Sequence, residues 1–198
     1  MWDERFAGED YLFGTEPAAF LAAQAGRLQA GSDVLCVADG EGRNSVYLAG
    51  LGHRVTAMDG AANGIAKAKK LAERRGVAVD YHLADIAEWD WSEGTYDAVV
   101  AVFIQFMGPE MRRRVFDGLT RTLKPGGVLL LHGYTPKQLD YGTGGPRILE
   151  NLYTADQLRA ELPGVEIETL REYEAMVDEG KGHSGRSALV DLIGRKPG

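Results

Sequence analysis

Between Asp33 and Tyr134 the chain alternates short apolar runs with amphipathic stretches, and the connections between them are brief. No other feature constrains the fold as much. Asp33–Ala38, Arg54–Met58, Val77–Leu83, Tyr96–Ile104 and Val128–Tyr134 read as strands, whereas Arg43–Leu51, Ala61–Arg75 and Pro109–Leu123 read as helices. Gly52 and Gly76 stand where two of the helices should stop. Tyr96–Ile104 is almost continuously apolar, as expected of a strand covered on both faces. Such alternation predicts an α/β chain with a mostly parallel sheet, wound on both sides by right-handed crossovers.

The two ends of the chain break this rhythm. Thr15-Glu16-Pro17 looks like a helix start, with a hydroxyl cap and a proline in the first turn, and Gly31 should close that helix. Thr135–Leu152 is rich in glycine and proline and longer than most connections. We expect residues 135–152 to be either a substrate loop or a simple surface insertion. Thr154 and Gln157 have capping-box spacing, so a helix should run to Leu162. Val165–Val177 and Arg186–Arg195 read as strands joined through "DEGKGHSG", hence as an antiparallel hairpin. The expectation is a seven-stranded, doubly wound, Rossmann-like sheet, mostly parallel, with an antiparallel C-terminal hairpin. Residues 1–198 are expected to form one domain.

Composition narrows the function classes. The net charge is −7, which opposes approach to a phosphate backbone, so no nucleic-acid partner is expected. Arg112-Arg113-Arg114 is the densest basic run and reads as a solvated helix face. No apolar run approaches the roughly 20 residues of a membrane span, and the N-terminus lacks a signal-peptide profile. We therefore expect a cytoplasmic protein without a membrane partner, as a monomer or homodimer. The single cysteine, Cys36, and the unpaired spacing of His53, His82, His132 and His183 predict no metal site.

The turn "CVADGEGRN", residues 36–44, carries the chemistry. A glycine-rich link between strand and helix lets backbone approach a ligand and presents helix N–H groups to an anion. The P-loop pattern is absent, since there is no lysine at the required spacing. A dinucleotide fingerprint fits poorly, because Ser45 stands where its third glycine would be and Glu41 would face a pyrophosphate. The remaining option is S-adenosylmethionine, which offers an amino-acid carboxylate instead. Asp59 ends the second strand, where a carboxylate can accept both ribose hydroxyls, and Asp85 follows the third, where it could receive the adenine amino group.

With these residues in view, the chain resembles the class I S-adenosylmethionine-dependent methyltransferases, and within them the small bacterial group related to tellurite-resistance and thiopurine methyltransferases. "VLCVADGEGRNSVYLA", "VTAMDGAANGIAKAKKLA", "HLADIAEW", "YDAVVAVFIQF", "LTRTLKPGGVLLLHGY" and "GKGHSGRSALVDLIGRK" carry the resemblance. It implies that Ala38, Asp39, Gly40 and Gly42 shape the methionine pocket, with Arg43 and Asn44 near the methionine carboxylate. Asp59, followed by Gly60, would hold the ribose. Ala84, Asp85 and Ile86 would surround the adenine, and Ala101, Val102 and Phe103 would face the reacting methyl. Two positions depart from the pattern: Cys36 stands where many members have an acid, and Ala38 where many have glycine. Their presence keeps open a non-catalytic binding or regulatory protein on the same fold. An NAD-linked oxidoreductase is the other alternative.

The expected activity is methyl transfer from S-adenosylmethionine, leaving S-adenosylhomocysteine, to a small molecule, possibly a thiol or chalcogen oxyanion. His183, Gln105 and His132 are the candidate catalytic groups near the carboxyl edge of the sheet. Trp2, Tyr11, Phe13, Phe106, Tyr134 and Tyr141 are the candidate acceptor contacts. The resemblance implies that residues 1–30 form a lid segment and helix over the cleft. Trp89 and Trp91 read as packing.

Overall fold

The computed structural model describes residues 2–198. Its seven strands are β1 (Asp33–Val37), β2 (Arg54–Asp59), β3 (Asp80–Leu83), β4 (Tyr96–Val102), β5 (Leu123–Tyr134), β6 (Glu166–Asp178) and β7 (Ser184–Arg195). They form one sheet in the order β3-β2-β1-β4-β5-β7-β6. The first five are parallel to one another, and β7 inserts antiparallel between β5 and β6. The helices are α1 (Trp2–Arg5), α2 (Ala19–Gln24), α3 (Arg43–Gly50), α4 (Ala62–Arg75), α5 (Pro109–Thr122) and α6 (Ala155–Glu161).

Period-two alternation sends each central strand's side chains to two separate cores. Leu35, Val37, Val99, Ala101, Leu129 and Leu131 pack with Val115, Phe116 and Leu119 of α5. Val34, Cys36, Ala98, Val100, Val128 and Leu130 pack on the other face with Phe20, Leu21 and Leu48. The central positions of strands covered on both faces are thus apolar, which is why Ala98–Val102 of β4 reads as a continuous run. Both α/β layers leave the carboxyl ends of β1, β2, β3 and β4 at one edge, where the site lies.

Local signals behave as their physics predicts at several places. Gly76 ends α4 with φ of 66°, Pro109 opens α5, and the capping box of α6 is complete. Others are overridden. Thr15 does not cap a helix, because α2 begins only at Ala19. The N–H groups of Ala18 and Ala19 are instead satisfied from afar, by Asn44 Oδ1 at 2.9 Å and Glu179 Oε1 at 2.9 Å. Val77–Val79 is not strand; Val77 N–H bonds back to Ala72 O, and only Asp80–Leu83 finds a partner in β2. Lys124–Gly127, expected as a turn, belongs to β5, with its register shifted against β4. Gly126 and Gly127 exchange hydrogen bonds with Lys196 there.

Arg112 also departs from expectation. It is 2% exposed rather than part of a solvated face, since its guanidinium forks onto Glu161 at 2.7 and 2.9 Å. Arg113 and Arg114 are exposed. Trp91 packs directly over Gly118, where an added Cβ would lie 2.5 Å from its ring.

Candidate cofactor and acceptor site

The cleft begins at the turn after β1. Ala38 takes the left-handed conformation, with φ of 49°, at the position where glycine is usual in the resembling family. That costs an alanine about 1–2 kcal/mol, a strain the turn sustains. The neighbouring contacts explain how. Asp59, at the end of β2, accepts Gly40 N–H at 2.8 Å through Oδ2 and Ala61 N–H at 2.8 Å through Oδ1. Asp39 accepts Ser45 N–H at 3.2 Å and Ser45 Oγ–H at 2.5 Å, so it caps α3 across the turn. Asp39 and Asp59 between them order the turn that follows Cys36. Burial raises the Asp39 carboxyl to about 7, against the lowering effect of its bonds to Ser45. Asp59 is also raised by burial, opposed by its two backbone bonds.

Gly42 does not face the cleft. With φ of 89° it lets α3 pack on α4, where an added Cβ would lie 2.6 Å from Ala68 Cβ. It therefore does the work expected of the third glycine in a dinucleotide fingerprint, which frees position 45 for serine. Gly64 plays the matching part in α4, since a Cβ there would meet Gly40 O at 2.9 Å.

Glu41 was not singled out as a site residue, yet it anchors the N-terminal segment. It is 3% exposed and pairs with Lys67 at 2.8 Å, while its Oε2 accepts the N–H groups of Leu12 and Phe13. Arg43 adds an ion pair to Glu179 at 2.8 Å and a bond to Phe13 O. Residues 10–18 are thus stapled between the glycine turn and the β6–β7 hairpin. Ahead of them, Asp3 caps α4 by accepting Asn63 N–H at 2.7 Å.

These elements enclose a cavity of about 500 Å³ at the carboxyl edge of the sheet. Ala38, Asp39, Gly40, Arg43, Asn44, Asp59, Gly60, Ala84, Asp85, Ile86, Val102 and Phe103 line it. Ala101 does not; it is fully buried in the core beneath. Trp2, Phe6, Phe13, Phe103, Phe106 and His183 wall the other end. Phe103, at φ of 57°, turns its ring to 4.2 Å from His183, whose own ring lies 4.4 Å from Phe13. Trp2 stacks on Phe6 at 5.7 Å. Asp3, Met58 and Leu83 also line the cavity and were not anticipated.

Besides Gly42 and Ala101, five expected site residues lie elsewhere. Gln105 is 4% exposed, and its amide is spent on Tyr134 N–H, Tyr134 O and Asn151 O, so it clamps backbone rather than an acceptor. His132 is buried behind Phe103, stacked on Phe20 at 4.8 Å, with Nδ1 at 2.7 Å from Asp191. Tyr134 is 1% exposed beneath Phe103. Tyr11 donates to Lys67 O outside the cleft, and Tyr141 donates to Glu174 on the surface. The loop of residues 135–152 contributes no cavity wall. It lies against the hairpin from outside, where Gln138 Oε1 accepts Ala188 N–H and Thr143 bonds Arg186 O.

The donor set fits S-adenosylmethionine. Asp59 and Asp85 line the cavity at successive strand ends, where they would meet a ribose and an adenine, and the α3 N-terminus with Arg43 would suit a carboxylate. Among the described residues no cluster of three or more His, Cys, Asp or Glu could hold a metal. No helix among them is long and apolar enough to cross a membrane.

Residues 34–127 match the family model described as a methyltransferase domain. The Rossmann-like sandwich matches the fold of solved methyltransferases. The chain is 33% identical over 105 residues to a ubiquinone biosynthesis O-methyltransferase of Methylocella silvestris, covering 50% of the chain and 38% of the relative. It is 27% identical to a glycine/sarcosine N-methyltransferase of Halorhodospira halochloris, covering 72% of the chain and 55% of the relative. It therefore spans about half the length, or less, of these relatives. Among solved structures, one describing conversion of a disulfide bond into a thioacetal group during echinomycin biosynthesis superposes with a TM-score of 0.79 at 22% identity, covering 99% of this chain and 91% of that one. The N-methyltransferase NodS of Bradyrhizobium japonicum WM9, solved with S-adenosyl-L-homocysteine, has a TM-score of 0.71 at 16% identity, covering 100% and 97%.

Proposed function

We propose that this protein transfers the methyl group of S-adenosylmethionine to a small-molecule acceptor, and that the acceptor is a soft nucleophile such as a thiol or chalcogen anion. One observation carries the acceptor class. Trp2, Phe13, Phe103, Phe106 and His183 wall the cavity without lysine or carboxylate, and Asp3, the carboxylate next to Trp2 in the lining, is engaged by Asn63 N–H. The named relatives act through oxygen and nitrogen, and the echinomycin structure concerns sulfur chemistry, so kinship alone does not choose among acceptors. The resemblance to tellurite-resistance and thiopurine methyltransferases agrees with the soft-nucleophile reading.

When bound, the cofactor supplies a methyl group activated by a sulfonium. The chain's own residues do the positioning. Asp59 and Asp85 would hold the nucleoside end, and Arg43 with the α3 N-terminus would hold the carboxylate. Phe103 and Phe13, packed on either side of His183, would shape the space for an acceptor. Holding reactants in that geometry can supply about 7–11 kcal/mol of the barrier. The aromatic walls exclude water, which strengthens the electrostatics around developing charge.

Calorimetric titration with S-adenosylmethionine and S-adenosylhomocysteine, followed by turnover on benzenethiol, selenite, tellurite, phenol and aniline, tests the reading. Micromolar binding with turnover confined to the soft nucleophiles is expected. Absence of binding to either cofactor form rejects methyl transfer, and preferential turnover of aniline or phenol rejects the acceptor class.

A further inference from the structure

Two histidines flank Phe103, and they are built in opposite ways. His132 has a carboxylate behind it: Asp191, 1% exposed, which also accepts Arg171 at 2.8 and 2.9 Å and Tyr173 OH at 3.1 Å. His183 has none. Its Nδ1 is buried with no hydrogen-bond partner. The ring is 6% exposed, lies against Phe13, Phe103 and Tyr134, and still lines the cavity. The backbone is pinned on both sides, since Glu179 N–H donates to His183 O at 2.8 Å and His183 N–H to Gly180 O.

The charges around His183 are also of one kind. Arg43 from α3, Arg5 from α1 and His132 from β5 face it, and each disfavours a proton on the ring. Glu179, on the same hairpin, spends its carboxylate on Arg43. A proton on His183 would meet guanidinium groups and aromatic edges, with no free anion to balance it. Burial, then Arg43, His132 and Arg5, hold its pKa down to about 3.

We propose that His183 is the acceptor-positioning residue of this site: it touches the acceptor as a neutral imidazole, through hydrogen bonding, and takes no proton from it. This assignment rests on the methyl-transfer reading above. A neutral imidazole carries one N–H and one lone pair, so it can orient a bound molecule by donating and accepting. Because no proton is taken, the acceptor must enter with its nucleophilic atom already deprotonated. The lone pair of that atom forms the new bond to the methyl carbon. The bond from carbon to the sulfonium sulfur breaks, and its electron pair stays on sulfur as a neutral thioether. The acceptor's proton has gone to solvent before entry. His183 is therefore a filter, favouring acceptors that ionise near neutral pH over those that need a base.

Two measurements on the full chain test this. In the S-adenosylhomocysteine complex, with histidine labelled by nitrogen-15, the His183 ring should remain neutral from about pH 8 to about pH 5, whereas an ordinary histidine would titrate across that window. A midpoint above about 6 overturns the assignment. Benzenethiol affinity is then measured for the same complex of wild type, His183→Gln and His183→Phe. Loss of one hydrogen bond should weaken the phenylalanine variant about tenfold, with the glutamine variant staying within about threefold of wild type. Equal affinity in all three overturns the contact. Turnover lost equally in both variants identifies a base and overturns the proton-free role. Failure of wild type to bind S-adenosylhomocysteine instead rejects the underlying methyl-transfer reading.

Discussion

The two ends of the cavity are stabilised by different physics. At the glycine-turn end nearly every polar group has a named partner: Asp39 holds Ser45, Asp59 holds Gly40 and Ala61, and Glu41 holds Lys67, Leu12 and Phe13. At the aromatic end the contacts are ring on ring, and two buried polar atoms, His183 Nδ1 and the Tyr134 hydroxyl, have no hydrogen-bond partner. Hydrogen bonds fix positions to a few tenths of an ångström, whereas packed rings define a shape that several molecules can fill. A fold that must always hold one cofactor but different acceptors gains from that division.

The most damaging way to break the contrast is to unbalance the turn. Glu41→Ala leaves Lys67 buried without its anion and releases residues 10–13, so stability should fall by roughly 3–5 kcal/mol in urea denaturation. Because Phe13 hangs from that same staple, benzenethiol turnover should fall with it. A loss under about 1 kcal/mol would show that the staple is dispensable. Next in size, Asp59→Ala removes a charged acceptor from the ribose position and from two backbone N–H groups. S-adenosylhomocysteine affinity should drop by roughly 1.5–3 kcal/mol in calorimetry. Unchanged affinity would move the ribose contact elsewhere.

A smaller effect, visible only against pH, distinguishes Asp39. Its folded pKa, about 7, lies above the ordinary 3.8, so the folded state binds a proton that the unfolded state has released. The stability this contributes is complete below the unfolded value and is lost as pH rises through the folded one. Wild type should therefore lose stability between pH 4 and pH 7 relative to Asp39→Asn, with parallel behaviour above. Equal slopes across that window would mean the carboxyl is ionised in the folded state. The least effect is expected at Tyr141→Phe, which removes a surface bond to Glu174 far from either end. Stability should stay within about 0.5 kcal/mol and cofactor affinity should not change. A loss of turnover here would return the loop of residues 135–152 to the acceptor site.

Which parts were legible in the sequence follows from the same contrast. Ala38, Asp39, Gly40, Asp59, Ala84–Ile86 and Phe103 sit at strand ends, and a strand end is visible in a hydropathy pattern. Their placement at one edge is then a consequence of parallel topology. Glu41 with Leu12, Asp3 with Asn63, and Gln105 with Tyr134 join residues far apart in the chain, and no local pattern encodes such pairs. Thr15 misled because its cap-like context is local, whereas the N–H groups of Ala18 and Ala19 take their partners from α3 and the distant hairpin. Gly42 was expected to help shape the methionine pocket, and its lack of a side chain is required by Ala68 behind it.

The position of β7 between β5 and β6 has a consequence for how the protein is made. A chain emerging from the ribosome N-terminus first leaves the edge of β5 open until Ser184–Arg195 have been synthesised. Glu179 and His183, which brace Arg43 and complete the aromatic wall, arrive with those same residues. The cleft is therefore one of the last things the nascent polypeptide acquires, and a truncated translation product would expose a sticky sheet edge without ever gaining a working pocket.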